Sequence, residues 1–146
     1  MDIRIVYLQS SNFSFCNEFE PIKAASSVNM SQTKMGTLTF DIRKNKEDSN
    51  IVSYEVEAGF RYLAMLDGLN MNDEIEVGKC VVAEVVAVFK AEYEFDGFIS
   101  PDELATFGEG QVHYDVYPYW REYCQSTCAR MMLPTTIMPE LKSLKP

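Results

Sequence analysis

One histidine, a shortage of positive charge and no apolar run approaching membrane length set the first limits on this chain. Lys and Arg total 13 against 22 Asp and Glu, a formal net charge of −9. A surface this acidic repels phosphate and argues against nucleic-acid binding through a broad basic face. No window comes near the ~18 uninterrupted apolar residues of a membrane-spanning helix. The opening MDIRIVYLQ lacks a basic segment followed by a long apolar core, so it reads as a strand and not as a secretion signal. The simplest location is the cytoplasm. Because His113 is the only histidine, a zinc site would need carboxylates or a second subunit. No metal and no cofactor are expected.

Other absences concern chemistry. Cys16, Cys80, Cys124 and Cys128 form neither a CxxC nor a finger spacing, and buried free thiols are expected. Cys124 and Cys128 stand four apart and would share one face of a helix. There is no GxSxG, HExxH, phosphate-cradling glycine loop or GxGxxG. A thiol nucleophile needs a partner to lower its pKa, and the sequence shows none. His113 reads as a capping or partly buried residue. The pattern points to binding and not to an enzyme.

What is present is strand signal. At 146 residues, 47% of them hydrophobic, the chain can form one domain, 1–146, with a sizeable core. Residues 3–15 are rich in β-branched and aromatic types. Residues 16–36 read as a polar crossing that changes sheet position. Over residues 37–43, Leu38, Phe40 and Ile42 alternate with Thr37, Thr39, Asp41 and Arg43, the period of a half-buried strand. Over residues 51–63, Val52, Tyr54, Val56, Ala58, Phe60 and Tyr62 form a second apolar face. The acidic MLDGLNMNDEIEVGK fails the calcium-loop pattern and reads as a solvated turn. Residues 80–95 carry the longest strand, with Val81, Ala83, Val85, Ala87, Phe89, Ala91, Tyr93 and Phe95 on one side. Its other side begins apolar (Val82, Val86, Val88) and ends charged, as if covered on both faces only in its first half. Glu84, inside this strand, suits an edge or an interface.

Two helices should follow. Ser100-Pro101-Asp102-Glu103 is a capping box with proline at the first helical position, opening a short helix that stops at Gly108. A long helix over 111–132 contains Pro118, so it either begins near Tyr117 or kinks there. Tyr117, Trp120, Cys124, Thr127, Cys128 and Met131 make a stripe at helical spacing, widened by Tyr119, Tyr123 and Met132. That arc is too wide for a helix packed on one sheet and otherwise wet, and it implies a second partner surface. Beyond Leu133 three prolines favour an extended arm with Ile137, Met138 and Leu141 as apolar teeth. Strands first and helices last is the α+β pattern, an antiparallel sheet with helices to one side.

The run VYPYWREYCQSTCARMMLP resembles the signature helix of the SecB family of protein-export chaperones. The matching positions are Tyr117-Pro118-Tyr119-Trp120-Arg121-Glu122, Arg130, Leu133-Pro134 and Ile137-Met138-Pro139. IRIVYLQSSNFSF, with Tyr7 and Phe13, resembles the family's first strand, and Tyr54-Glu55-Val56 its third. The resemblance implies a four-stranded antiparallel sheet with a short and a long helix on one face, assembled as a dimer of dimers. It implies a cytosolic holdase that grips unfolded polypeptides in hydrophobic grooves without ATP. Groove candidates are Tyr7, Phe13, Phe89, Leu133, Ile137 and Met138. Oligomer-interface candidates are Tyr117, Trp120, Cys124, Cys128 and Met131. The family's acidic contacts with the SecA translocase fall here on Ser10 and Ser14, leaving Glu84 as the candidate contact. The family's second long helix has no counterpart after the arm, and the third-to-fourth strand connection is long. These departures favour a divergent SecB-like protein, for instance one protecting an antitoxin, over one coupled to SecA. The rival reading is an α+β domain that binds a small hydrophobic ligand.

Overall fold

The period-two segments become four long strands in the computed structural model, which describes residues 1–15, 30–64 and 70–133. They are β1 (Asp2–Phe15), β2 (Met30–Lys46), β3 (Ser49–Leu63) and β4 (Val81–Asp96). Among the described residues three helices complete the order: α1 (Glu74–Gly78) before β4, then α2 (Pro101–Glu109) and α3 (Gln111–Arg130). The strands form one sheet in the order β1-β4-β3-β2, every neighbouring pair antiparallel. β1 and β2 therefore lie at opposite edges. Most of the expected crossing, 16–29, and the proline-rich arm from 134 onward lie outside the described residues.

β3 and β4 are the central strands, and their apolar alternation reads directly as packing. Val52 pairs with Tyr93, Tyr54 with Ala91, Val56 with Phe89, Ala58 with Ala87 and Phe60 with Val85. All ten are buried, in one cluster with Leu104 of α2 and with Val112, Val116, Trp120, Cys124 and Cys128 of α3. Both helices thus cover the same face of the sheet. A fully buried side chain of this size contributes roughly 1.5–3 kcal/mol, so this layer dominates the stability.

Four expectations need correction. β2 starts at Met30, not at residue 37. Ser31, Gln32, Thr33 and Lys34 hide the period, but their backbone pairs with Tyr62, Arg61, Phe60 and Gly59 of β3. Second, Thr37 and Phe40 share a face. A register shift at Leu38 sets Thr37 opposite Val56 and Phe40 opposite Tyr54, and Leu38 is left half exposed. Third, the acidic connection is not wholly a turn, since Asp73 caps α1 by accepting from Ile75 N at 3.0 Å and Glu76 N at 3.4 Å. Val77 of α1 is sealed with Leu63 and Cys80 in a second small cluster. Fourth, on the outer side of β4 Val82 is buried, but Val86 and Val88 are only half covered.

The capping box is present, with Ser100 Oγ accepting from Glu103 N at 3.2 Å. α2 passes through Gly108 instead of stopping there, and Gly110 makes the turn into α3. α3 starts at Gln111 and continues through Pro118. Proline has no N–H, so one intrahelical bond is lost there. Starting the apolar stripe at Tyr117 missed Val112 and Val116, which are fully buried.

Candidate peptide-binding surface

The direction of α3 over the sheet follows from three contacts. Near its start Asp115 accepts from Tyr93 Oη at 2.7 Å. In its middle Trp120 stands edge-on to Phe89, ring centroids 6.5 Å apart. Near its end Cys128 lies in the core with Tyr62, whose β4 partner is Ala83. α3 therefore runs antiparallel to β4. The junction of α2 and α3 is tied to the edge strand β2. Thr37 Oγ1 donates to Gly108 O at 2.7 Å and lies 2.9 Å from His113 Nε2. The hydroxyl has a single hydrogen, already given to the carbonyl, so His113 Nε2–H is the donor of the second bond.

These ties fix which apolar groups stay outside. On β1, Ile3, Ile5, Tyr7 and Leu8 are 40–53% exposed. The strand pairs only with β4 among the described residues, which leaves its 14-residue outer edge without a described partner. On β2, Leu38 and Ile42 are half exposed; on α3, Tyr114 and Tyr119 project outward. Scattered exposed apolar residues are ordinary. Ile3 and Leu8 stand opposite Tyr93 and Phe89 on the helix-bearing face, Ile5 and Tyr7 opposite Glu92 and Lys90 on the outer one, so both faces of this edge strand offer apolar groups to an extended polypeptide or another strand.

The groove candidates do not all converge. Phe13 lies on the helix-bearing face opposite Val85, edge-on to Phe15 with ring centroids 5.0 Å apart. Leu133 is buried at the C-terminal end of α3, bonded through its N–H to Cys128 O at 3.0 Å. These two meet at the same end of the sheet. Phe89 is sealed at 2% exposure in the middle of the core. Tyr7 points to the opposite face, beside Lys90 in the register. Ile137 and Met138 lie outside the described residues.

Of the interface candidates, Trp120, Cys124 and Cys128 are 0–3% exposed within the single chain. Their side chains pack on the chain's own sheet, because the stripe that sequence spacing selects is the one facing the strands. Tyr117 and Met131 are half-buried at its margin. Burial pushes the Tyr117 hydroxyl upward in pKa. The outward side of the helix carries Tyr114 and Tyr119 instead, and Tyr114 escaped the sequence reading because it precedes Pro118. Glu84 sits between Val85 and Ala83 on the outer face, opposite Ser14 on one side and Arg61 on the other. With Gln32, Lys34, Arg61 and Glu74 it lines a polar cavity of about 470 Å³. Arg61 Nε donates to Gln32 Oε1 there at 2.7 Å.

The neighbouring Cys128 sulfur and burial together push the Cys124 thiol up in pKa. Among the described residues no three His, Cys, Asp or Glu side chains gather to hold a metal. No described helix is long and apolar enough to cross a membrane.

A four-stranded antiparallel sheet in this order, with a short and a long helix on one face, is the fold of SecB-like chaperones. The SecB-like chaperone Rv1957 of Mycobacterium tuberculosis, solved in complex with a ChAD peptide from the Rv1956 HigA1 antitoxin, superposes with a TM-score of 0.63 over 99% of this chain and 91% of that one, at 15% identity. No family model and no curated protein matches the sequence.

Proposed function

We propose that this chain is a divergent SecB-like chaperone, an ATP-independent holdase for non-native polypeptides. The observation that carries this reading is the shared fold, over nearly the whole chain, with a SecB-like chaperone solved with an antitoxin peptide. The apolar residues of β1, β2 and α3 supply the physics. Burying apolar surface is worth ~25 cal/mol per Å². A client segment of about ten residues covering several hundred Å² reaches micromolar affinity after ordering costs. The net charge of −9 keeps a loaded complex soluble and favours basic clients. A dedicated client such as an antitoxin suits the chain better than SecA-coupled export, since Ser10 and Ser14 offer no acidic contact. Glu84 is then the residue through which any translocase contact would run. The working form is a dimer of dimers in the cytoplasm, with Tyr117 and Met131 at the margin of its helix interface and Phe13, Ile137 and Met138 toward the client, Leu133 packing beneath them.

The small-ligand alternative is not favoured. The 470 Å³ cavity is lined mainly by Gln32, Lys34, Arg61, Glu74 and Glu84, a poor match to a hydrophobic ligand. The test is suppression of aggregation of a chemically unfolded client, followed by light scattering without nucleotide, with native mass measured in parallel. A tetramer effective at stoichiometric amounts is the expected result. A monomer that leaves aggregation unchanged sinks the reading.

A further inference from the structure

The outer face of the sheet carries cross-strand charges, and several of them are paired. Arg43 donates to both Glu92 carboxylate oxygens at 3.1 and 3.2 Å. Lys90 reaches Glu55 at 3.8 Å and Lys34 reaches Glu57 at 3.5 Å. Glu84 is not paired. It is half-buried on β4, and among the described residues no hydrogen bond or ion pair reaches it. Its cross-strand cation, Arg61 on β3, is turned toward β2 and α1. There Arg61 Nε donates to Gln32 Oε1 at 2.7 Å, and Nη2 lies 3.6 Å from Glu74 Oε2.

These groups line the 470 Å³ cavity, a volume within the roughly 300–1,000 Å³ of small-molecule sites. Lys34 forms one wall. Its stem lies across Gly59, with Cε 2.6 Å from where a Cβ would stand, and its ammonium goes to Glu57. Counted with Glu57, the described walls hold two cations, Lys34 and Arg61, against three carboxylates, Glu57, Glu74 and Glu84. One positive charge is missing. Of the two carboxylates that face the cavity, Glu84 is the enclosed one, since the Glu74 side chain is 82% exposed. A half-buried carboxylate without a partner has lost part of its hydration and gained no bond in exchange.

We propose that this cavity binds an alkylguanidinium cation, free or at the tip of an arginine side chain, with Glu84 as its bidentate partner. A planar guanidinium offers parallel N–H donors to both oxygens of one carboxylate, which a compact ammonium does not. Its remaining donors have two acceptors nearby. Ser14 stands opposite Glu84 on β1, and Glu74 is held by Arg61 only at 3.6 Å, beyond hydrogen-bond length. Arg61 itself is kept from filling the vacancy by its short bond to Gln32. The site lies on the face of the sheet opposite the helices. It does not depend on the holdase reading, and either can fail alone.

The test titrates the full chain with butylguanidinium, with butylammonium and with a short glycine–serine peptide carrying one arginine. Backbone amide chemical shifts are followed at fixed ionic strength, and their dispersion reports whether each variant is folded. Butylguanidinium should give saturable shifts at Gly59, Arg61 and Glu84 with a Kd on the order of millimolar. Butylammonium should bind several-fold more weakly. Glu84→Gln keeps the side-chain shape and should weaken binding about tenfold, the loss of a charge-assisted contact. Glu92→Gln, outside the cavity, should leave it unchanged. Gln32→Leu, which releases Arg61 to turn toward Glu84, should also weaken it. Tighter binding of the peptide than of butylguanidinium identifies a polypeptide as the source of the cation; equal or weaker binding identifies a free one. Shifts that do not saturate, that spread evenly over the charged face, or that persist in Glu84→Gln overturn the proposal.

Discussion

Gly108 shows how one missing carbon holds the helices on the sheet. A Cβ built there meets Tyr54 Cε1 at 2.8 Å and Cδ1 at 3.1 Å. Tyr54 cannot yield, since it is fully buried and its hydroxyl donates to Leu104 O at 2.7 Å. Gly108→Ala should therefore cost about 1–3 kcal/mol, read as a lower urea midpoint with an unchanged slope. Gly59 is the control. Its Cβ would meet Lys34 Cε at 2.6 Å, the end of an exposed flexible chain, so Gly59→Ala should move the midpoint far less. Tyr54 and its neighbour Tyr93 also set the alkaline limit. Burial raises Tyr54 to about 12 and raises Tyr93 further, helped by its bond to Asp115. The unfolded chain releases these protons near pH ~10 and the folded one does not. The stabilisation is thus complete below pH ~10 and falls by about 1.4 kcal/mol per pH unit for each tyrosine as pH rises. For Tyr54 the loss runs from there to about 12. Tyr93→Phe should roughly halve the slope of stability against pH above ~10, measured by urea unfolding. An unchanged slope would mean that the hydroxyl is not sealed.

At the scale of elements, legibility tracked how much of the pattern came from burial. β3 and β4 are central, so every second side chain had to be apolar, and their faces were readable residue by residue from Val52 to Tyr62 and from Ala83 to Phe95. β2 is an edge whose first turns are held by backbone pairing to β3, and Gln32 or Lys34 carry no trace of that. The shift at Leu38 reversed the apparent face of Thr37, because one inserted residue changes the parity that the reading depends on. α1 was hidden because five residues show no period; the capping Asp73 was the available signal. At the site, spacing selected the buried stripe of α3, since both a core and an interface are apolar. Trp120 facing Phe89 and Tyr114 facing out are distinguishable only once the sheet is in place. The end of α3 was equally silent. Its cap has the Schellman pattern, with Leu133 N bonded to Cys128 O at 3.0 Å and Met132 N to Ala129 O at 3.3 Å, but Met132 occupies the place where glycine is favoured. Met132→Gly should raise stability by about 0.5–1 kcal/mol through relief of that conformation, seen as a higher thermal midpoint. A lower midpoint would show that the Met132 side chain, 62% exposed in the single chain, is covered in the working assembly.

For the whole molecule, the decisive asymmetry lies between a sealed inner layer and an open edge. On β3 and β4 the helix-bearing face buries its large side chains within one chain, whereas β1 leaves Ile5 48% exposed on the outer face and Leu8 40% exposed on the helix-bearing one, beside an edge with no strand partner among the described residues. Natural edge strands are usually blunted by charge, proline or brevity. β1 carries its charges only at Asp2 and Arg4, has no proline and runs for 14 residues. Such an edge invites a strand from another chain, either a second copy or a client. The two roles of stability and association should therefore separate by mutation. Ile5→Lys combined with Leu8→Lys removes little packing from a single chain, and its unfolding midpoint at high dilution should shift by less than about 1 kcal/mol. The same pair places charge on the edge and should lower both native mass and aggregation suppression at least several-fold. Loss of fold in the double variant would assign these residues to the core. Retention of full mass and full suppression would show that assembly and client capture use the outer side of α3, around Tyr114 and Tyr119, and not the β1 edge.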